Sequence, residues 1–142
     1  MKKILIVDDS AAIRERLVEI LVPFATCEVA TNGQEAVDLI KITQGTGDDF
    51  DIVLMDIIMP EKDGLTAVKE IREFETLMGW KGDDRLTIII ATTIKDPSRI
   101  VIAQYECGAD AYIAKPFTRD TVLQTLNSNG LSTHTFKNRV LV

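Results

Sequence analysis

The feature that most constrains the fold is a regular alternation of short apolar runs with longer amphipathic stretches. The clearest runs are dominated by Val, Ile, Leu and Met, as at Ile4 to Val7, Ile52 to Met55, Thr87 to Ile90 and Tyr112 to Ala114. Continuous apolar runs of this length are typical of parallel strands buried on both faces of a sheet. We predict strands near 3–8, 27–31, 50–55, 86–92 and 111–114, and helices near 10–22, 33–44, 64–78, 97–107 and 118–128. Five successive βα units predict an α/β fold with a doubly wound parallel sheet.

Several residues mark the predicted helix ends. Ser10 and Thr118 have hydroxyl side chains that can cap the first and last helices. Pro23 ends the first helix, because proline lacks the N–H that a continuing helix needs. After Gly130 the periodic pattern fades. We therefore assign residues 1–129 to one domain and residues 130–142 to a C-terminal tail.

Composition excludes several classes of protein. The chain has 142 residues, which fits one domain, and 46 % of them are hydrophobic, which is ordinary for a globular protein. A net charge of −6 argues against nucleic-acid binding through a basic face. The apolar runs are much shorter than a membrane span, and the N-terminus does not have the pattern of a signal peptide. We expect a cytoplasmic protein that does not bind membranes.

Polar side chains follow four of the predicted strands. Asp8 and Asp9 stand at the end of the first apolar run, Asp56 after the third strand, Thr92 and Thr93 near the end of the fourth, and Lys115 after the fifth. The carboxyl ends of parallel strands share one edge of the sheet, where open α/β folds bind their ligands. The sequence therefore predicts a crevice with three carboxylates, a hydroxyl and an ammonium.

This set of groups favours a magnesium site with room for a phosphoryl group. Neighbouring carboxylates raise one another's pKa unless a cation is present, and a hard divalent ion with oxygen ligands fits better than zinc. The lone His134 lies near the C-terminus and gives no zinc pattern. Each residue has a simpler reading, with the acids in a solvated turn and Lys115 at the surface. Pro116 argues against that reading of Lys115, since a cis Lys-Pro bond would direct the ammonium into the crevice.

Over residues 2–128 the chain resembles the receiver domains of two-component response regulators. The resemblance rests on the joint presence and order of ILIVDDS (4–10), DIVLMDIIMPEKDG (51–64), IIIATT (88–93) and GADAYIAKPF (108–117). It implies a flavodoxin-like, CheY-like fold, with five parallel strands in the order 2-1-3-4-5 flanked by five helices.

The resemblance also implies a role for each site residue. Asp56 is the phosphoacceptor and a Mg²⁺ ligand. Asp9 binds Mg²⁺ directly, Asp8 acts mainly through metal-bound water, and the backbone carbonyl of Ile58 supplies another ligand. Lys115 pairs with the phosphoryl group.

Two further residues are implied as the conformational switch. Thr93 has the family's spacing from Lys115 and is the expected switch hydroxyl, with Thr92 as the alternative. Tyr112 is the aromatic residue whose ring turns inward when the threonine moves toward the phosphoryl group.

The implied function is that of a single-domain response regulator. A sensor histidine kinase would phosphorylate it, and it would then bind a downstream protein in chemotaxis-type or adaptor signalling, without contacting nucleic acid directly. It would not be an enzyme beyond catalysing its own phosphotransfer and dephosphorylation. The alternatives are a phosphorelay intermediate that passes the phosphoryl group to a partner histidine, and a receiver fragment of a longer regulator.

The motifs do not support two other classes of protein, the aspartate-nucleophile phosphatases and the nucleotide-binding proteins. Aspartate-nucleophile phosphatases need a second Asp two positions after the nucleophile, where this chain has Ile58, and no GxxxxGK[ST] or GxGxxG motif indicates a nucleotide site.

The predicted helix at 97–107 is unusually apolar. Either this helix forms a surface for a partner, or the tail at 130–142 covers it, within the chain or on a second copy. The alternatives for a homodimer are contact through this helix and contact through the tail.

Overall fold

The computed structural model of the chain describes residues 1–57, 59, 62–93, 98 and 107–131. Most of the predicted helix at 97–107 and most of the tail at 130–142 lie outside the described residues, and so do the homodimer surfaces expected there.

The described chain alternates strands and helices in the predicted order. The strands are β1 (Lys3–Val7), β2 (Thr26–Ala30), β3 (Ile52–Met55), β4 (Thr87–Thr92) and β5 (Ala111–Ala114). The helices are α1 (Ala11–Leu21), α2 (Gly33–Thr43), α3 (Gly64–Leu77) and α4 (Arg119–Ser128), with a short 3₁₀ helix at Gly82–Asp84. Each strand and α-helix begins and ends within two residues of its prediction. No helix in the described part of the chain has both the length and the apolar character that crossing a membrane requires.

All five strands are parallel and form one sheet in the order β2-β1-β3-β4-β5, which confirms the expected fold class. The register aligns the carboxyl ends of the inner strands. Val7 of β1 lies opposite Ala30 of β2 and Met55 of β3, and Met55 lies opposite Ile90 of β4. The residues that directly follow β1 and β3 are therefore neighbours at one edge, called here the carboxyl edge.

The core lies on both faces of the sheet. Strand residues alternate between the two faces, so the aliphatic runs divide evenly between them. The strand residues that pack under α2 and α3 on one face are Leu5, Val7, Val53, Met55, Ile88 and Ile90. The strand residues that pack under α1 and α4 on the other face are Ile4, Ile6, Ile52, Leu54, Ile89 and Ile113. Burial on both faces explains why these strands have no polar alternation.

Side-chain caps fix where the helices begin. The Ser10 hydroxyl accepts a hydrogen bond from the Ile13 N–H at 3.3 Å, and the Thr118 hydroxyl accepts one from the Thr121 N–H at 3.1 Å. Both predicted caps are confirmed. The Ser10 cap starts α1 only three residues after β1 ends, so the turn that carries Asp8 and Asp9 is short.

Arg72 of α3 joins three segments near the amino-terminal ends of the strands, opposite the carboxyl edge. Its guanidinium donates to the Glu75 carboxylate at 2.7 Å, to the Leu86 carbonyl at 2.7 Å, to the Gly108 carbonyl at 2.9 Å and to the Asp110 carboxylate at 2.9 Å. Glu75 is buried and also accepts from the Leu86 N–H. This network fastens α3 to the start of β4 and to the turn before β5.

Candidate functional site

Three carboxylates meet at the carboxyl edge. Asp8 and Asp9 directly follow β1, Asp56 directly follows β3, and the two strands are hydrogen-bonded neighbours. The Asp56 N–H continues the ladder by donating to the Val7 carbonyl at 3.0 Å. One carboxylate oxygen from each of the three acids lies within 4.8 Å of the others. The predicted convergence of the three acids is confirmed.

Asp8 is held on both of its carboxylate oxygens. The side chain is almost fully buried, with Oδ1 accepting from the Ser10 N–H at 2.9 Å and Oδ2 accepting from the Lys115 ammonium at 2.5 Å. Its backbone is fixed as well, because the Asp8 N–H donates to the Ala30 carbonyl at 3.2 Å. Both carboxylate oxygens of Asp8 and its backbone N–H are therefore held by neighbouring groups.

Lys115 reaches across the sheet edge and contacts two of the acids. Its ammonium lies 2.5 Å from an Asp8 oxygen and 3.0 Å from an Asp56 oxygen, and its side chain is 9 % exposed. The Lys115 N–H donates to the Thr92 carbonyl at 2.8 Å, and the bond to Pro116 is cis. Burial lowers the pKa of the ammonium, but the hydrogen bonds and charges of Asp8 and Asp56 outweigh that effect and hold the pKa above its ordinary value.

This raised pKa predicts an alkaline loss of stability. The folded protein holds the Lys115 proton more tightly than the unfolded chain does, so the ion pair stabilises the fold below the ordinary pKa of 10.5 and is lost as pH rises through the raised folded value. Because arginine stays charged in that range, the Lys115→Arg protein will lose less stability than the wild type. Urea unfolding midpoints at neutral pH and above the lysine pKa measure the difference.

The control for this experiment is Lys69→Arg, which makes the same exchange at an exposed position on α3. It will follow the wild type at both pH values. If Lys115→Arg also falls in parallel with the wild type, the ion pair does not contribute to the pH dependence of stability.

Gly64 makes a close contact behind Asp56. A Cβ atom at this position would lie 2.0 Å from the Asp56 carbonyl oxygen and 2.9 Å from the Ile57 Cα. The Gly64 N–H donates to the Ile57 carbonyl at 2.8 Å, so the first residue of α3 rests directly on the chain that carries Asp56. The sequence predicts Gly64 only as the first residue of the helix at 64–78, and no spacing rule reveals this contact.

The remaining predicted residues are Thr93 with its alternative Thr92, Tyr112 and Ile58. Thr93 is exposed directly after β4, whereas Thr92 is fully buried. Tyr112 lies on the neighbouring strand β5 and is 44 % exposed. Ile58, whose backbone carbonyl is the expected fourth metal ligand, lies outside the described residues.

The chemistry of the donor set fits magnesium. Asp8, Asp9 and Asp56 are the group that could hold a metal ion within the described ranges, and all three offer oxygen. One ammonium against three carboxylates leaves an excess of negative charge that a divalent cation would balance. Oxygen-only donors with space for water are the preference of Mg²⁺ rather than of zinc or copper.

Comparisons with known proteins agree with this geometry. The family model described as the response regulator receiver domain matches residues 4–127. The chain is 39 % identical to the chemotaxis protein CheY of Halobacterium salinarum over 127 residues, covering 89 % of this chain and 94 % of that protein. It is 38 % identical to the chemotaxis protein CheY of Bacillus subtilis, covering 88 % and 94 %. A crystal structure of the CheX–CheY–BeF₃–Mg²⁺ complex from Borrelia burgdorferi superposes with a TM-score of 0.77 and 30 % identity, covering 92 % of this chain and 90 % of that one.

Proposed function

Because the chain belongs to the response regulator receiver family and is a CheY-like receiver domain of two-component signalling, we propose that it accepts a phosphoryl group on Asp56. The donor is a phosphohistidine of a sensor histidine kinase, and the transfer requires Mg²⁺. The observation that carries the proposal is the Lys115 ammonium between Asp8 and Asp56, with Asp9 beside them.

Asp8, Asp9 and Asp56 would hold the metal ion, together with the Ile58 carbonyl that the family resemblance implies. The family resemblance implies that Asp9 and Asp56 would bind the ion directly and that Asp8 would act mainly through water on the ion. When bound, Mg²⁺ neutralises charge on the transferring phosphoryl oxygens.

The transfer step uses Asp56 as the nucleophile. A carboxylate oxygen of Asp56 forms a bond to phosphorus, the phosphorus–nitrogen bond to histidine breaks, and the electron pair leaves with the imidazole nitrogen, which then takes up a proton. The Lys115 ammonium already lies 3.0 Å from Asp56. From there it stabilises the negative charge on the transferring group, and the protein contributes alignment and charge neutralisation.

The phosphoryl group then changes a protein-binding surface. Its oxygens attract the Thr93 hydroxyl, and the displacement of Thr93 makes space for the Tyr112 ring to turn inward. Two observations support this assignment of the switch. Thr93, unlike Thr92, is exposed directly after β4, and Tyr112 is half exposed on the strand paired with β4.

We favour chemotaxis-type or adaptor signalling through a downstream protein as the output of this phosphorylation. The match to the two chemotaxis relatives runs over nearly their whole length, at 94 % of each. A phosphorelay intermediate would differ by passing the phosphoryl group on to a histidine of a partner.

The test is covalent modification by a small acyl phosphate. In the presence of Mg²⁺ and acetyl phosphate the intact mass will rise by one phosphoryl group, peptide mapping will place the group on Asp56, and chelation of Mg²⁺ will prevent the reaction. Beryllium fluoride, which mimics the aspartyl phosphate, will shift the NMR signals of Thr93 and Tyr112. A folded protein that binds Mg²⁺ but stays unmodified with either reagent would refute the proposal.

A further inference from the structure

Arg14 lies in the first turns of α1, and its side chain runs back toward the turn that carries Asp8 and Asp9. Its guanidinium donates a hydrogen bond to the Asp8 backbone carbonyl at 2.8 Å, and the residue is half-buried. That carbonyl belongs to the peptide group between Asp8 and Asp9. The contact therefore fixes the orientation of the peptide that joins the two acids.

The two acids depend on this peptide to different degrees. The Asp8 carboxylate is held on both oxygens by Ser10 and Lys115. The Asp9 side chain is exposed, and among the described residues no hydrogen bond or ion pair holds its carboxylate. What the protein fixes at Asp9 is therefore the backbone, which sets where the Cα–Cβ bond points, and Arg14 anchors that backbone at the preceding carbonyl.

The charge of Arg14 works against a metal site. A guanidinium next to a group of carboxylates repels a divalent cation, and removing that charge alone would tighten Mg²⁺ binding. A residue that orients a ligand has the opposite effect, since losing it weakens metal binding even though it does not touch the metal. The two roles predict opposite signs for the same substitution.

We propose that Arg14 is a positioning residue for Mg²⁺, which acts by orienting Asp9 through the Asp8 carbonyl. The inference rests on the proposed function, because it takes Asp9 as a metal ligand. It adds a residue on α1 to the binding machinery, outside the strand ends that carry the acids.

The test compares Mg²⁺ affinities by titrating ¹⁵N-labelled protein with MgCl₂ and following the amide signals of the turn. In Arg14→Met the dissociation constant will rise about tenfold, as for other residues that orient metal ligands. Before metal is added, the amide signals of Asp9 and Ser10 will already differ from those of the wild type. Arg14→Gln covers the case in which the Met variant fails to fold, with a loss of affinity in the same direction.

The matched control is Arg16→Met, which removes the same charge from an exposed position on α1. It will leave the Asp9 and Ser10 signals in place, and its affinity will stay equal to that of the wild type or rise slightly. Unchanged or tighter Mg²⁺ binding by folded Arg14→Met would overturn the positioning role while leaving the proposed function intact. A wild-type protein that binds no Mg²⁺ would overturn both.

Discussion

Replacing Asp56 with Asn will abolish covalent phosphorylation and leave the protein folded. Asn has nearly the same shape, and its side-chain oxygen can still accept a hydrogen bond from Lys115, which now lies 3.0 Å from Asp56. The amide is not a nucleophile that forms an acyl phosphate, so the reaction loses the atom that would bond to phosphorus. Intact-mass analysis after incubation with Mg²⁺ and acetyl phosphate measures the loss.

Asp51→Asn is the matched control for this variant. Asp51 comes just before β3, at the other end of the strand that leads to Asp56, and its carboxylate accepts from the Lys3 N–H at 2.8 Å. The exchange of charge and shape is the same, but the site is at the opposite edge of the sheet. This protein will be phosphorylated like the wild type. Persistent labelling of Asp56→Asn would show that another group accepts the phosphoryl group.

Replacing Gly64 with Ala will destabilise the protein by at least about 3 kcal/mol, the upper part of the range for overpacked sites. The added methyl group would lie 2.0 Å from the Asp56 carbonyl oxygen and 2.8 Å from the carbonyl carbon. These are backbone atoms, so no side-chain rotation can relieve the overlap. Helix propensity alone predicts the reverse, a gain of up to about 1 kcal/mol for Ala over Gly, and the sign of the change separates the two effects.

Chemical denaturation of Gly64→Ala measures this loss, with Lys69→Ala as the control on the exposed side of the same helix. The control will change stability by no more than about 0.5 kcal/mol, as is usual for surface substitutions. Relieving the overlap with the added methyl group moves the backbone of Asp56. Any Gly64→Ala protein that folds will therefore also be phosphorylated more slowly. A Gly64→Ala protein as stable as the wild type would mean that the start of α3 can move away from Asp56 at little cost.

The sequence predicts those parts of the molecule that follow from regular geometry. Uninterrupted aliphatic runs indicate strands buried on both faces, and the shared direction of parallel strands brings Asp8, Asp56 and Lys115 to one edge. The Ser10 and Thr118 caps follow equally from local chemistry, because each hydroxyl bonds to a backbone N–H three residues later.

The contacts that the sequence does not predict depend on how loops place backbone atoms. Gly64 rests on the Asp56 carbonyl because the start of α3 packs against the residues that follow β3, and Arg14 reaches the Asp8 carbonyl because the turn after β1 is short. Neither contact has a characteristic spacing. A glycine after a strand is equally compatible with a free loop, and an arginine on an amphipathic helix is equally compatible with a solvated surface.

The network around Arg72 has a consequence for the kinetics of folding. Its guanidinium bridges to Leu86 and to Asp110, which are 14 and 38 residues away along the chain. Such bonds add stability only after the chain between the bonded residues has been brought together. The entropy lost in that step opposes folding before the bonds can form. Weakening this bridge should therefore shorten the lifetime of the native state by accelerating its unfolding, while the rate at which the chain first collapses onto its sheet stays nearly the same.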